Sequence, residues 1–291
     1  MHRLALISLT VAALARGQTP PAKTFSGEEA LALTGRAVAF GPRADGSAAI
    51  EKLRVFIRGE LARQGCEVTA DRFTAATPDG SLPMENIIGK FTGNSGRAIA
   101  ITGHYDTKKL ADFLGANDGG SSTGFLLELA AVLHTLPHTD DIYLVFFDGE
   151  EARHEWSDTD SVYGSRHLAE KWDVDGTLRR LKALINVDMI GDRNLSLMWD
   201  TSSSASLRSL VWDVADSLGD KEYFPREGGS IQDDHLPFLN RGVRALDLID
   251  FESQGTFWHT PRDTMDKLAA HSFEVVGNVV VKSVGELEQQ K

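Results

Sequence analysis

Two adjacent glutamates, Glu150 and Glu151, stand just beyond a run of six apolar residues in the string IYLVFFDGEEARHEW, 142–156. An apolar run bounded by charge predicts a buried strand, and a turn carrying carboxylates at a strand's exit is where α/β enzymes place their chemistry. Neighbouring side chains on an extended chain point apart, so the two acids take different tasks: one can bind a metal while the other faces a substrate. The arrangement recurs along the chain. His104-Tyr105-Asp106 follows a short strand expected over 97–102, Asp188 lies in one expected over 183–189, and Phe257-Trp258-His259 is delivered by the loop after one expected over 245–249. Asp118 sits in the glycine-rich stretch GANDGGSSTG, 115–124, and Gln232-Asp233-Asp234-His235 closes a loop that begins at 225. Each group alone admits a plainer reading: a solvated acidic turn for the glutamates, an Asp-Gly turn for Asp118, a core aromatic for Trp156, a helix cap for Asp234 or His235.

What must position these groups is an alternation of strands and helices. Apolar residues at helical spacing, closed by Gly65, predict a helix over 49–64. Strands are expected over 68–73 and 84–91 with a Pro/Asp/Gly turn between them, and a further one over 195–199. Helices are expected over 125–136, 161–172, 205–218 and 272–287, with a short helical turn at LPFLNRG, 236–242. From residue 97 onward this alternation predicts a single α/β domain, 24–291, with a mostly parallel central sheet flanked by helices. In such sheets ligands bind outside the carboxyl ends of the strands, which is where His104, Glu150, Glu151, Asp188 and His259 fall. Convergence of scattered residues is what the single-residue readings do not explain.

Composition excludes several classes. With 42% hydrophobic and 25% charged residues the chain is globular, and a net charge of −12 argues against nucleic acid or an anionic membrane as the main partner. Residues 1–15, MHRLALISLTVAALA, have the basic start, apolar stretch and small-x-small end of a secretory signal peptide, with cleavage after Ala15 or as late as Gly17. The expectation is a secreted or periplasmic protein with no stable membrane insertion once the leader is removed. The sole cysteine, Cys66, rules out an internal disulfide and is expected to be a small buried apolar residue. Oligomeric state is not legible.

Histidine, aspartate and glutamate without thiols form a ligand set suited to a catalytic zinc, which keeps an open position for water or substrate. In the order His104-Tyr105-Asp106, Asp118, Glu150-Glu151, Asp188 and His259, the chain resembles the zinc aminopeptidases over about residues 40–285. A narrower resemblance rests on longer strings. FFDGEEA, Trp156-Ser157, DSVYGSRHLA at 160–169, IQDDHLPFL at 231–239 and Trp258-His259 look like the animal-type glutaminyl cyclases. That resemblance implies one zinc held by Asp118, Glu151 and His259, with Glu150 as the proton shuttle. It also implies a hydrogen-bonded pair of Asp188 and Asp233, and a substrate pocket lined by Trp156, Gln232 and Trp258. INVDMIGD around Asp188 and HTPRDTMDKL from His259 resemble the aminopeptidases more, and His104 with Asp188 completes ligands for a second zinc.

The implied reaction converts the N-terminal glutamine of a peptide or protein to pyroglutamate with loss of ammonia. The neutral α-amine attacks the side-chain amide carbonyl, which zinc polarises as a Lewis acid. Glu150 moves the proton, and the tryptophan faces hold a flat uncharged amide. The alternative is a one- or two-zinc aminopeptidase using a metal-activated water at nearly the same residues. A catalytically silent binding ectodomain is the third class, since fold does not fix function.

Overall fold

The computed structural model describes residues 22–251 and 257–290, so the leader expected over 1–15 lies outside the described residues. The first described helix, α1 (Gly27–Val38), is one the spacing of apolar residues does not announce. Its start is nevertheless written in the chain, because the Ser26 hydroxyl accepts from Glu29 N–H and Glu28 and Glu29 occupy the first turn, favourable at the positive end of a helix dipole. Helix α2 (Ala48–Arg63) follows where expected, capped by Ser47.

Strands β1 (Glu67–Thr77) and β2 (Gly80–Phe91) form an antiparallel hairpin. They extend into residues expected to be a long turn, which shrinks to Pro78-Asp79; proline presets the backbone angle that a tight turn needs. Then come β3 (Ala98–His104), α3 (Gly120–Leu133), β4 (Asp141–Phe147), α4 (Tyr163–Asp175), β5 (Leu181–Asp188), α5 (Ala205–Leu218), the single turn α6 (Leu236–Leu239), β6 (Ala245–Ile249) and α7 (Ala270–Gln289).

The sheet order is β1-β2-β4-β3-β5-β6, with β4, β3, β5 and β6 mutually parallel and the β1-β2 hairpin attached antiparallel along β4. The α/β expectation holds, with an antiparallel edge that makes the sheet mixed. Alternation along the central strands sorts the two faces. Ile99, Ile101, Ile142, Leu144 and Phe146 enter a core shared with α1, α2, α3, α5 and α7. Ala98, Ala100, Tyr143, Val145 and Phe147 face α4 and α6. Strands β3, β4 and β5 are buried from end to end, which is why their sequences are predominantly apolar, with Thr102, Lys182 and Asn186 the polar exceptions between their end residues.

Two expectations are corrected. Residues 195–199 form no strand: their amides donate outward to loops, Leu197 N–H to Tyr223 O at 2.9 Å and Trp199 N–H to Glu227 O at 3.2 Å, with Met198 alone reaching Ile249 O of β6. Helix α3 begins five residues before the expected 125, so Gly120, Ser121 and Ser122 are helical despite poor propensity. Tertiary burial decides this. The whole first turn is buried, and Gly124 lies so close to α1 that a β-carbon there would meet Thr34 Oγ1 at 2.1 Å.

Candidate active site

Register brings the chemistry together. His104 at the end of β3 pairs with Phe147 at the end of β4, and Asp188 at the end of β5 pairs with Ile249 at the end of β6. The four parallel strands therefore deliver their following loops to one rim. Here a cavity of about 330 Å³ is walled by Asp118, Glu150, Glu151, Trp156, Asp188 and Gln232, and also by Asp233, Trp258 and His259. Every residue expected from the sequence to hold metal, move protons or bind substrate lines it except His104, which is buried against the lining residues Asp118 and Asp188.

The backbone around the acids is held by carboxylates that sequence reasoning did not assign. Asp106 accepts from Glu150 N–H at 3.2 Å and Glu151 N–H at 3.3 Å, bracing the glutamate turn. Asp263 accepts from Asn117 N–H at 2.8 Å and Asp118 N–H at 3.1 Å, fixing the glycine-rich loop. Asp160 accepts from the N–H groups of Arg153, His154 and Glu155 at 2.7, 2.9 and 3.1 Å and from the Tyr163 hydroxyl at 2.7 Å, shaping the segment that carries Trp156. All three stand inside the quoted motif strings, but the bracing is done through main-chain amides, which leave no side-chain pattern to read. Gly119 has a φ of +77°, and a β-carbon there would lie 2.3 Å from Asp106 O, so the loop can pass this close only with glycine. Met189 and His259 hold left-handed φ values of 50° and 51° without being glycine, a local strain of about 1–3 kcal/mol each of the kind found at functional sites.

Asp118 sits between two imidazoles. Its Oδ2 lies 3.3 Å from His259 Nε2, which is also 3.1 Å from Glu151 Oε1. Its Oδ1 lies 3.3 Å from His104 Nε2, which is also 3.1 Å from Asp188 Oδ1. Two candidate metal groups result, Asp118-Glu151-His259 and His104-Asp118-Asp188, with ligand atoms in each within 4.8 Å of one another. Ligand atoms bound ~2.0–2.1 Å from a tetrahedral zinc stand ~3.3 Å apart, so the observed separations suit such an ion. Asp118 Oδ2 and His104 Nδ1 are moreover buried and meet only long contacts, the nearest to His259 Nε2 at 3.3 Å and Asp106 Oδ1 at 3.5 Å, rather than short hydrogen bonds. The donor set fits zinc.

Electrostatics divides the acids. Burial pushes the Glu150 carboxyl well above its usual range, and the charges of Glu151, Asp233 and Asp234 add to this while His104 opposes it. Burial likewise raises Asp188 to about 7, against the pull of His104 and with a push from Asp233. Asp118 goes the other way: burial alone would raise it, but the two imidazoles hold it below the ordinary carboxylate range. His259 reaches about 9, since hydrogen bonds to Asp118 and Glu151 outweigh its burial.

Asp188 and Asp233 share the cavity wall, but their hydrogen-bonding partners differ. Asp188 faces His104, whereas Asp233 accepts from Asn186 Nδ2 at 3.2 Å and interacts with Asp247. Trp156 is no core aromatic: it is 39% exposed at the cavity mouth, and its Nε1 donates to Gln232 Oε1 at 2.9 Å. Trp258 stacks on the His259 ring at 4.0 Å between centroids, fixing the imidazole plane. Neither Asp234 nor His235 caps α6 through its side chain; His235 Nε2 instead meets Ser202 Oγ at 3.2 Å.

Comparison with known proteins agrees with this geometry. The family model for Peptidase family M28 matches residues 86–284. The glutaminyl-peptide cyclotransferase of Drosophila melanogaster is 32% identical over 250 residues, covering 76% of this chain and 70% of that protein. Among solved structures, the glutaminyl cyclase of an Acidobacteriales bacterium superposes with a TM-score of 0.87 at 38% identity, covering 97% of this chain and 100% of that one. A Zn-dependent exopeptidase from Parabacteroides distasonis superposes with a TM-score of 0.83 at 27% identity, covering 92% of this chain and 100% of that one. The chain belongs to peptidase family M28 and, within that fold, to the glutaminyl-peptide cyclotransferases.

Proposed function

We propose that this protein converts the N-terminal glutamine of peptides and proteins to pyroglutamate, releasing ammonia, with one zinc held by Asp118, Glu151 and His259. The observation that carries the reading is the pairing, in one cavity, of that ligand cluster with an aromatic mouth formed by Trp156 and Trp258. When bound, zinc supplies Lewis-acid polarisation of the substrate's side-chain carbonyl.

The chain's own residues do the rest. Glu150, buried among acids that raise its carboxyl above the ordinary range, takes a proton from the attacking α-amine and returns it to the departing nitrogen. One carbon–nitrogen bond forms as the amide carbon–nitrogen bond breaks, and the products are the lactam and ammonia. Asp188 and Asp233 face the cavity beside Glu150, and the protonated carboxyl of either can hydrogen-bond the leaving nitrogen. Trp156 and Trp258 bracket an uncharged planar amide, and the Trp156–Gln232 hydrogen bond holds one of these walls in place. The leader expected over 1–15 would put this reaction in the periplasm or outside the cell.

A second reading is a two-zinc aminopeptidase, favoured by the additional ligand group His104, Asp118 and Asp188. The deciding experiment incubates the protein with a Gln-initiated and a Leu-initiated peptide and counts zinc per chain. Ammonia from the first, no reaction with the second and one zinc is the expected outcome; free leucine with two zincs overturns it. Glu150→Gln should lower ammonia release by ~10²- to 10⁴-fold with zinc retained. Loss of zinc in that variant would refute the division of labour between Glu150 and Glu151.

A further inference from the structure

A second cavity, about 470 Å³, opens beside the catalytic one of about 330 Å³. The two share three wall residues, Trp156, Gln232 and Asp233, so the hydrogen-bonded Trp156–Gln232 pair is a sill between them. The reaction proposed above uses only the first residue of its substrate, whose side chain folds back on its own amine. The rest of the peptide must therefore leave the catalytic cavity over its rim. On the far side of the sill lie Arg166 of α4 and Arg241, just past α6.

We infer that this second cavity is a subsite for the two or three residues that follow the N-terminal glutamine, and that it recognises their main-chain carbonyls rather than their side chains. The inference rests on the cyclase reading. A guanidinium offers five N–H donors, and in both arginines one nitrogen already donates to a main-chain carbonyl: Arg166 Nη1 to Asp158 O at 2.6 Å and Arg241 Nη1 to Pro237 O at 3.0 Å. Arg166 is held with its guanidinium 5.0 Å from the Tyr163 ring centre. Beyond these Nη1 bonds, the Nη2 group of neither arginine has an acceptor among the described residues, so donors remain for a visiting carbonyl.

Charge argues against side-chain selection. The exposed carboxylates Asp158 and Glu170 line the same cavity and offset the two guanidiniums, and the third carboxyl, Asp233, is buried at the sill, so neither acidic nor basic residues are favoured beyond it. The site predicts dependence on peptide length with tolerance of sequence. It also fits an enzyme whose chemistry needs nothing from its substrate beyond a free N-terminal glutamine.

The test compares glutaminamide with Gln-Ala-Ala-Ala, Gln-Glu-Ala-Ala and Gln-Lys-Ala-Ala on the full chain. One charge-assisted hydrogen bond to a carbonyl corresponds to roughly a tenfold lower KM for the tetrapeptides than for glutaminamide, with the three tetrapeptides within about threefold of one another. Arg241→Ala, which removes a donor, and Asn240→Trp, which fills the cavity from its exposed rim, should each erase most of that gain. Both should leave glutaminamide kinetics unchanged, which also shows that they fold. Equal KM values for all four substrates in the unaltered protein would overturn the subsite. So would variants that affect glutaminamide and the tetrapeptides alike, or neither. Absence of ammonia from every substrate would instead remove the cyclase reading, and the subsite with it.

Discussion

Asp160→Asn is the substitution that most directly tests whether the Trp156 wall is built by the loop beneath it. The Asp160 side chain is almost wholly buried, at 4% exposure, and its two oxygens divide their work. Oδ1 accepts from Arg153 N–H and the Tyr163 hydroxyl, both at 2.7 Å; Oδ2 accepts from His154 N–H at 2.9 Å and Glu155 N–H at 3.1 Å. These donors outweigh burial and hold the carboxyl below its ordinary range. Asparagine keeps one acceptor and turns the other into a donor facing two N–H groups. Two hydrogen bonds to a charged acceptor are lost at ~1–2 kcal/mol each, about 2–4 kcal/mol together. The loss falls on the residues immediately before Trp156, so the indole loses its fixed approach to Gln232. Loss of one aromatic wall worth ~1–1.5 kcal/mol should raise KM for a Gln-initiated peptide about tenfold and leave kcat within about twofold. Steady-state ammonia release measures both constants, and amide hydrogen exchange over 152–160 reports the loop. A KM within twofold of the unaltered protein, with amides 153–155 as protected as before, would refute the reasoning.

Further outcomes are expected at the metal ligands and in the core. His259→Ala should weaken zinc binding by more than the ~10–100-fold typical of losing an outer-shell partner, whereas His104→Ala should leave a one-zinc protein with its zinc; metal analysis after dialysis checks both. Asp200 is buried and accepts from Ser202 N–H at 3.0 Å and Ser203 N–H at 2.9 Å. Burial opposes its charge, but hydrogen bonds with His235, Ser202 and Ser203 hold its carboxyl below the unfolded value of 3.8. A depressed folded pKa contributes stability above that value and loses it as pH falls through the folded one. The drop in melting temperature between pH 6 and pH 3 should therefore be smaller in Asp200→Asn, although that variant melts lower at pH 6; an equal drop would remove Asp200 from the acid response.

By itself the sequence determined the parallel core and the cast of the active site. Strands buried on both faces must read as apolar runs, and the polar residues that interrupt chemistry-bearing turns stand out against them, so Glu150, Glu151, Asp188 and His259 were legible from position alone. Long matched strings added Trp156, Gln232 and Asp233. Only the tertiary structure decided how these meet. The pairing of strand ends sets His104 beside Phe147 and Asp188 beside Ile249, and that register turns residues far apart in the chain into one cavity. It also decided the early start of α3, where burial against α1 overrides the weak helix propensity of Gly120, Ser121 and Ser122, and the irregular course of 195–199, whose amides find loop carbonyls instead of a strand. The bracing roles of Asp106, Asp160 and Asp263 were not legible because each acts on main-chain N–H groups, which every residue but proline carries, so nothing in the side-chain pattern marks those partners.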